Sequence, residues 1–300
     1  MLKRYLPLLF VLLVVVATVV AFLALRDSGA PEAPPVSRAG TTAEPPAGPD
    51  GAPEYRVESE EDFQAALRAL GTDNEEIETW ARSRGFPPAV YTNSAGPPLE
   101  RPYRRDSEAK LLELAAAGDH WAMQFLAARI GPERPLEAIK WYRRAVAHGS
   151  AYAAFKLGNL YEEVARWIAI NHDDRDEVVE IARLEDPLAY TSLAWLLVAE
   201  FEAGLPPGAM SATLTSFRAP DEGIARACER AAGFLAEVRA ERAALGVSVP
   251  AHKPPLAMEL PEEETAGYCP TEVFPRADYT NCETIRLVGD IGSVVGHRCR

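Results

Sequence analysis

The sequence predicts an all-α protein, a short α/α solenoid of helical pairs with an N-terminal transmembrane helix and a small disulfide-bonded C-terminal hairpin. Three observations predict this arrangement. An uncharged apolar run extends from Tyr5 to Leu25, and three segments in the middle of the chain repeat small residues in shared columns. Three of the four cysteines lie near the C-terminus.

The apolar run Tyr5–Leu25 is long enough to cross a membrane. As a helix rising 1.5 Å per residue it would measure about 32 Å, against roughly 30 Å for a bilayer core. Lys3 and Arg4 precede the run. The positive-inside rule therefore predicts a single-pass anchor (residues 1–27) in the inner membrane, with the bulk of the chain periplasmic. A cleaved secretory signal is the alternative, although the run exceeds the usual ~7–15 apolar residues and no A-x-A site closes it.

The charge of the chain restricts its partners. Over 300 residues the formal net charge is −13. Such an acidic chain is repelled by phosphate backbones and by anionic headgroups. We therefore expect no nucleic-acid partner, and contact with the inner membrane only through residues 5–25.

Two regions precede the predicted solenoid. Residues 28–55 are rich in proline and alanine with few apolar anchors, which is typical of a disordered linker. Residues 56–100 contain two short helix signatures and a loop. Each signature has an acidic first turn, and they end at Gly71 and Gly85.

Residues 101–215 contain the repeated pattern. The segments GDHWAMQFLAARI, GSAYAAFKLGNLY and EDPLAYTSLAWLL, which begin at Gly118, Gly149 and Glu185, align without gaps. Their shared columns are Ala122, Ala153 and Ala189; Leu126, Leu157 and Leu193; and Ala127, Gly158 and Ala194. These spacings place small residues on one helical face, which lets two backbones approach closely. An ordinary amphipathic bundle with alanines recurring by chance is the alternative.

A partner helix precedes the second segment. PLEAIKWYRRAVAHG has Pro135 in its first turn and Gly149 as its left-handed stop. Together these residues, EAIKWYRRAVAHGSAYAAFKLGNLYEE, resemble a Sel1-like repeat, a helix–turn–helix relative of the tetratricopeptide unit. The match is looser at 106–130 and about 172–204. In the third unit Glu185 replaces the turn glycine, and none of the three units carries a cysteine.

The resemblance implies a concave surface that holds a protein or peptide partner. Together with the anchor, it suggests a non-catalytic adaptor or scaffold of the cell envelope. Trp121, Tyr152 and Tyr190 lie off the aligned columns and are the candidate partner-binding residues. Packing between repeats would account for them equally well.

The sequence of the C-terminal part predicts a capping helix (residues 216–248) and a cysteine-containing tail (residues 249–300). The helix has Asp221 and Glu222 in its first turn and ends at Gly246. Folding the tail into a hairpin about Asp290–Ile291 places Cys282 opposite Cys299, which leaves Cys228 to pair with Cys269. Four cysteines allow three connectivities, so this pairing is one of three. A metal site of Cys269, Cys282, His297 and Cys299 is the alternative, although it lacks the paired spacing of structural zinc sites.

Motifs for catalysis or cofactor binding are not found in the sequence. Its histidines occur singly, and GDIGSVVG lacks the glycine spacing of a phosphate-binding loop. We therefore expect no enzyme activity, no cofactor and no metal. The alternatives are an envelope enzyme or inhibitor that acts through the C-terminal tail, and a structural spacer without a specific ligand.

Overall fold

The computed structural model shows a mostly helical protein with a small sheet. It describes residues 53–56, 59, 62, 65–66, 74–87, 101–171, 176–184, 188–205, 221–249, 254–259, 269–270, 272–275, 279–289 and 292–299. Within these residues the helices are α1 (Asn74–Ser83), α2 (Arg101–Arg105), α3 (Glu108–Ala116), α4 (His120–Ile130), α5 (Pro135–Ala147), α6 (Ala151–Asn171), α7 (Asp176–Leu184), α8 (Leu188–Ala203) and α9 (Asp221–Leu245). The strands are β1 (Glu54–Arg56), β2 (Leu256–Glu259), β3 (Glu283–Gly289) and β4 (Gly292–Arg298).

Local signals set several helix ends. Ser107 caps α3 by accepting a hydrogen bond from the backbone N–H of Lys110. Pro135 occupies the first turn of α5 as predicted, where its missing N–H is harmless. Gly149 follows α5 with a φ of +96°, and Gly246 follows α9 with a φ of +65°. Both glycines therefore stop their helices in the left-handed conformation.

The helices pack in chain order at first and then close into a ring. Each of α3, α4, α5 and α6 packs on the next. The order changes after α6, because α7 packs on α5 and α6 while α8 packs mainly on α6. Helix α9 then packs on α8 and returns to α5. The helices α5, α6, α8 and α9 thus form a closed ring, which a simple stack of pairs would not produce.

The predicted alanine column holds in two of its three segments. Ala122 and Ala153 are fully buried. Ala189 is exposed, so its alignment with those two residues is wrong. The physical reason is that α8 is apolar on nearly every side and is buried from Leu188 to Ala203 with few exceptions. Such a helix has no polar face that would fix its rotation. The sequence therefore does not indicate which of its residues face the neighbouring helices.

The C-terminal tail belongs to a four-stranded sheet with the order β1-β3-β4-β2. The hairpin β3–β4 has the predicted register, since Gly289 pairs with Gly292; Asp290 and Ile291 lie outside the described residues. Two strands were not predicted. β1 pairs parallel with β3 and lies at the end of the predicted linker, and β2 pairs antiparallel with β4.

Two disulfides hold the C-terminal tail. One lies within the tail, and the other joins the tail to the helices. Cys282 bonds to Cys299 beside the hairpin, and Cys228 of α9 bonds to Cys269. These are the two pairs that the hairpin predicted. The alternative metal site is wrong, because its three cysteines are oxidised and cannot act as thiolate ligands.

The anchor predicted at residues 5–25 lies outside the described residues. Within the part of the chain that the structure describes, no helix is long and apolar enough to cross a membrane.

Candidate functional site

A concave cavity of about 200 Å³ lies between α4 and α6, with the end of α1 and helix α2 at its margins. We call it the aromatic groove. Its lining residues come from five places in the chain, so the fold assembles it from distant segments. They are Pro87, Arg104, Trp121, Gln124, Phe125, Ala128, Tyr142, Tyr152 and Lys156.

Helix α4 provides the floor of the groove. Trp121, Gln124, Phe125 and Ala128 recur every three or four residues, which places them on one face of the helix. The N-cap residue Asp119 accepts hydrogen bonds from the backbone N–H groups of Trp121 (2.9 Å) and Ala122 (3.1 Å). The capped first turn therefore fixes the backbone from which the Trp121 ring extends.

A set of stacked rings supports the lining residues Trp121 and Phe125, with Tyr103 of α2 packed against both. The Tyr103 ring lies 5.6 Å from that of Phe125 with an interplanar angle of 6°, and 6.4 Å from that of Trp121. Its hydroxyl donates a hydrogen bond to Asp119 (2.9 Å). Burial, together with this bond, raises the pKa of Tyr103 to about 12. The hydroxyl is therefore protonated at neutral pH and keeps its bond to the helix cap.

Helix α2 is short, and α4 holds it in place. The Arg129 guanidinium donates hydrogen bonds to the backbone carbonyls of Tyr103 (3.3 Å), Arg104 (3.3 Å) and Asp106 (2.6 Å). These bonds satisfy carbonyl groups at the end of α2 that have no partner within a helix. Arg129 thereby positions both the Tyr103 ring and the exposed Arg104 at the edge of the groove.

Helix α6 contributes Tyr152 and Lys156 to the lining. The Tyr152 ring lies 5.9 Å from that of Phe155 and meets the ring of Phe86 edge-on at 5.5 Å. Its backbone N–H donates to the carbonyl of Arg84 (3.1 Å), which ties the end of α1 to the first turn of α6. The Lys156 ammonium lies 5.6 Å from the centre of the Tyr152 ring, a cation–π contact.

A buried hydrogen-bond chain links the lining residue Gln124 to Gly85 after α1 and to Ser150 before α6. The Gln124 side chain donates to the carbonyl of Gly85 (3.1 Å) and accepts from the Ser150 hydroxyl (2.9 Å). The Ser150 oxygen in turn accepts from the N–H of Ala153 (3.0 Å). Glycine is needed at position 85, where φ is +77° and a Cβ would lie 2.3 Å from the Ser150 oxygen.

The groove offers aromatic faces, one amide and two cations. Tyr142 is buried in its floor, and burial raises the pKa of its phenol, so this hydroxyl too is neutral at physiological pH. Arg104 and Lys156 also line the groove. These groups suit the binding of a ring or an apolar side chain beside a negative charge.

Two of the three predicted partner-binding residues, Trp121 and Tyr152, line this groove. The third does not. Tyr190 lines a separate, more open cavity of about 460 Å³ between α8 and α9, with mainly charged neighbours such as Arg226 and Glu229. Tyr190 also packs over Gly223, where a Cβ would lie 2.5 Å from its ring.

The sequence analysis missed the rest of the groove. The spacing of Trp121 and Phe125 on α4 could have identified Phe125. No local signal indicates Pro87 or Arg104, since they reach the groove only through tertiary packing.

Apart from Pro87, the groove lies in the part of the chain that contains the repeated pattern. The groove combines residues of α4 with residues of α5 and α6, so it depends on the packing of successive helices. Its stacked rings and its two cations are the features that a ligand would contact. No family model matches the chain, and no curated protein and no solved structure matches it either.

Proposed function

We propose that this chain is a non-catalytic interaction adaptor of the cell envelope, which holds a partner polypeptide in the aromatic groove. The observation that carries the proposal is that Trp121 and Tyr152, on different helices, line one concave aromatic surface. Concave pockets lined by aromatic residues and a few polar groups are typical binding sites.

The proposal includes a location. Tyr5–Leu25 would anchor the chain in the inner membrane, and the remainder would lie in the periplasm. Two disulfides support this location, because disulfides persist in oxidising compartments and are rare in the cytosol.

The proposal also retains a short helical repeat over α3–α6. In this stretch each helix packs on the next, and the residues that resemble a Sel1-like repeat form α5 and most of α6. The groove combines α4 of the first pair with α5 and α6 of the second. Neighbouring repeats build binding surfaces jointly in this way.

The C-terminal tail is assigned a stabilising role. It is attached to the helices by Cys228–Cys269, by an edge-on contact between Phe274 and Phe201 (5.8 Å), and by a hydrogen bond from Tyr279 to the carbonyl of Gly204 (2.8 Å). These contacts favour a fastened appendage over an independent enzyme or inhibitor.

Photocrosslinking in cells tests the adaptor proposal. A photoreactive amino acid at Ala128, which is exposed and lines the groove, should give discrete protein adducts. The same amino acid at Ala116, an exposed alanine on α3, is the matched control and should not give them. Lys156→Glu should abolish the adducts from position 128. Identical adducts from both positions, or none from position 128, would contradict the proposal.

A further inference from the structure

We propose that the groove takes an extended partner segment in which proline neighbours an acidic residue. This inference rests on the proposed adaptor function and names the class of its partner. It is carried by the size of the cavity, by the arrangement of its rings and by the charges at its margins.

The size of the cavity favours an extended ligand. A helix is about 10–12 Å wide with its side chains, whereas a cavity of about 200 Å³ accepts only one or two side chains at a time. An extended segment can insert single side chains and remain outside with its backbone. The groove therefore fits a strand-like or polyproline segment better than a docked helix.

The rings favour proline in such a segment. Helix α4 presents the near-parallel rings of Trp121 and Phe125 to the groove, and α6 presents Tyr152. Aromatic grooves dock polyproline segments because the segment is already extended and loses little entropy on binding. The aromatic faces also give proline rings broad apolar contact.

The charges favour an acidic neighbour. Arg104 of α2 and Lys156 of α6 both line the groove, in a chain whose net charge is −13. Two cations at one concave site in an acidic chain attract a carboxylate that the surrounding surface would repel. The same net charge disfavours nucleic acid, which leaves an acidic polypeptide.

The test measures peptide binding by fluorescence anisotropy, with the full-length chain in detergent. The probe is a labelled peptide, GPPEPPEPG, compared with versions in which both Glu become Gln, both Glu become Lys, or every Pro becomes Ala. We expect the Lys version to bind about tenfold more weakly and the Ala version at least about fivefold more weakly. Equal affinity for all four peptides, or no binding of the first, would overturn the ligand class.

Substitutions in the protein test which residues of the groove contact the peptide. Trp121→Ala should weaken binding about tenfold, as expected for an aromatic hot spot. Lys156→Glu should reverse the preference between the Glu and Lys peptides, which a loss of folding cannot do. Arg226→Glu, the same charge change at the second cavity, should leave the preference intact. An unchanged preference in Lys156→Glu would overturn the assignment.

Two further results separate the sources of failure. Residues 28–50 of this chain themselves contain prolines and acidic residues. If removing them raises peptide affinity about tenfold, the groove holds the chain's own segment and the assignment to a partner is overturned. If position 128 gives specific adducts in cells but the probe does not bind, the ligand class fails while the adaptor proposal stands.

Discussion

The hydroxyl of Ser192 on α8 donates a hydrogen bond of 2.8 Å to the backbone carbonyl of Gly158 in the middle of α6. The two helices approach so closely here that a Cβ at position 158 would lie 2.9 Å from the Leu196 side chain and 3.0 Å from the Ser192 carbonyl oxygen. The contact between α6 and α8 therefore requires glycine at position 158.

Gly158→Ala should destabilise the protein. The new methyl group meets a backbone oxygen that cannot move without shifting α8, and overpacking of this kind costs about 1–3 kcal/mol. The gain in helix propensity, about 1 kcal/mol, offsets only part of that cost. Urea denaturation with the disulfides intact measures the change in unfolding free energy.

Gly233→Ala on α9 is the matched control. A Cβ there meets nothing within 4 Å, so only the gain in helix propensity remains. It should stabilise the protein by about 0.5–1 kcal/mol. If both substitutions stabilise the protein equally, the close approach at Gly158 is contradicted.

Arg242→Ala should be strongly destabilising. The Arg242 guanidinium pairs with the buried Glu202 carboxylate at 2.7 Å and donates to the carbonyls of Val146 and Ala147 at the end of α5, each at 3.1 Å. Removing it leaves the buried Glu202 carboxylate without this cation, which costs about 3–5 kcal/mol. Thermal or urea denaturation measures the loss.

Arg226→Ala on the same helix provides the comparison. Arg226 pairs with Glu222 one turn away, and both side chains are more than half exposed, at 59% and 78%. An exposed pair of this kind contributes only about 0–1 kcal/mol. Similar losses in the two variants would show that the Arg242–Glu202 pair is not buried in solution.

The disulfides predict a clear thiol count. Protein isolated from oxidising conditions should show no thiol reactive with maleimide before reduction and four after reduction, by mass spectrometry under denaturing conditions. A cysteine that reacts before reduction would contradict the pair to which it belongs, and four reactive cysteines would contradict both pairs and the proposed compartment.

Removing either disulfide should lower the free energy of unfolding. The loss should increase with the number of residues in the loop that the disulfide closes. The separations are 41 residues for Cys228–Cys269 and 17 for Cys282–Cys299. Loop-closure entropy then predicts losses of about 4 and about 3 kcal/mol for the paired cysteine-to-alanine variants. A larger loss from the shorter loop would contradict this entropic account.

Stability should decrease as the pH falls below about 6.5. Burial lowers the pKa of His120 from its ordinary 6.5, with His148 also lowering it and Asp119 opposing the shift. Burial likewise lowers the pKa of His148, with Arg144 beside it and Glu241 opposing. The unfolded chain takes up protons near pH 6.5 and the folded chain only at lower pH, so the unfolding free energy falls between those values.

His120→Gln should flatten this dependence. Urea midpoints between pH 7.5 and 5.0 avoid most of the titration of carboxylates, which lies near pH 4. An equal slope for the variant and the wild-type chain would contradict the assignment to His120.

Much of the helical part could be predicted because its signals are local. Pro135 and Gly149 bound α5, and Asp221 and Gly246 bound α9. The two-residue turn predicted after Gly289 gives the observed hairpin register, and the pairing of Cys282 with Cys299 follows from it. Turn and cap residues act within a few positions of themselves, so a single sequence reveals them.

The remainder depends on contacts between distant segments. β1 is short and pairs with β3 from the other end of the chain, so no local pattern indicates it. The groove combines Pro87 and Arg104 with α4 and α6. The exposure of Ala189 follows from the rotation of an apolar helix, which only its neighbours determine.

The position of β1 has a mechanical consequence. Residues 28–52 lead directly into this strand, whose neighbour Pro53 accepts a hydrogen bond from the Arg286 N–H (2.9 Å). Tension transmitted through the N-terminal segment therefore loads the sheet first. The Cys282–Cys299 and Cys228–Cys269 bonds carry that load covalently within the tail and onto α9. Part of a pull from the N-terminus thus passes through the sheet to α9, beside the backbone path that leads from β1 toward α1.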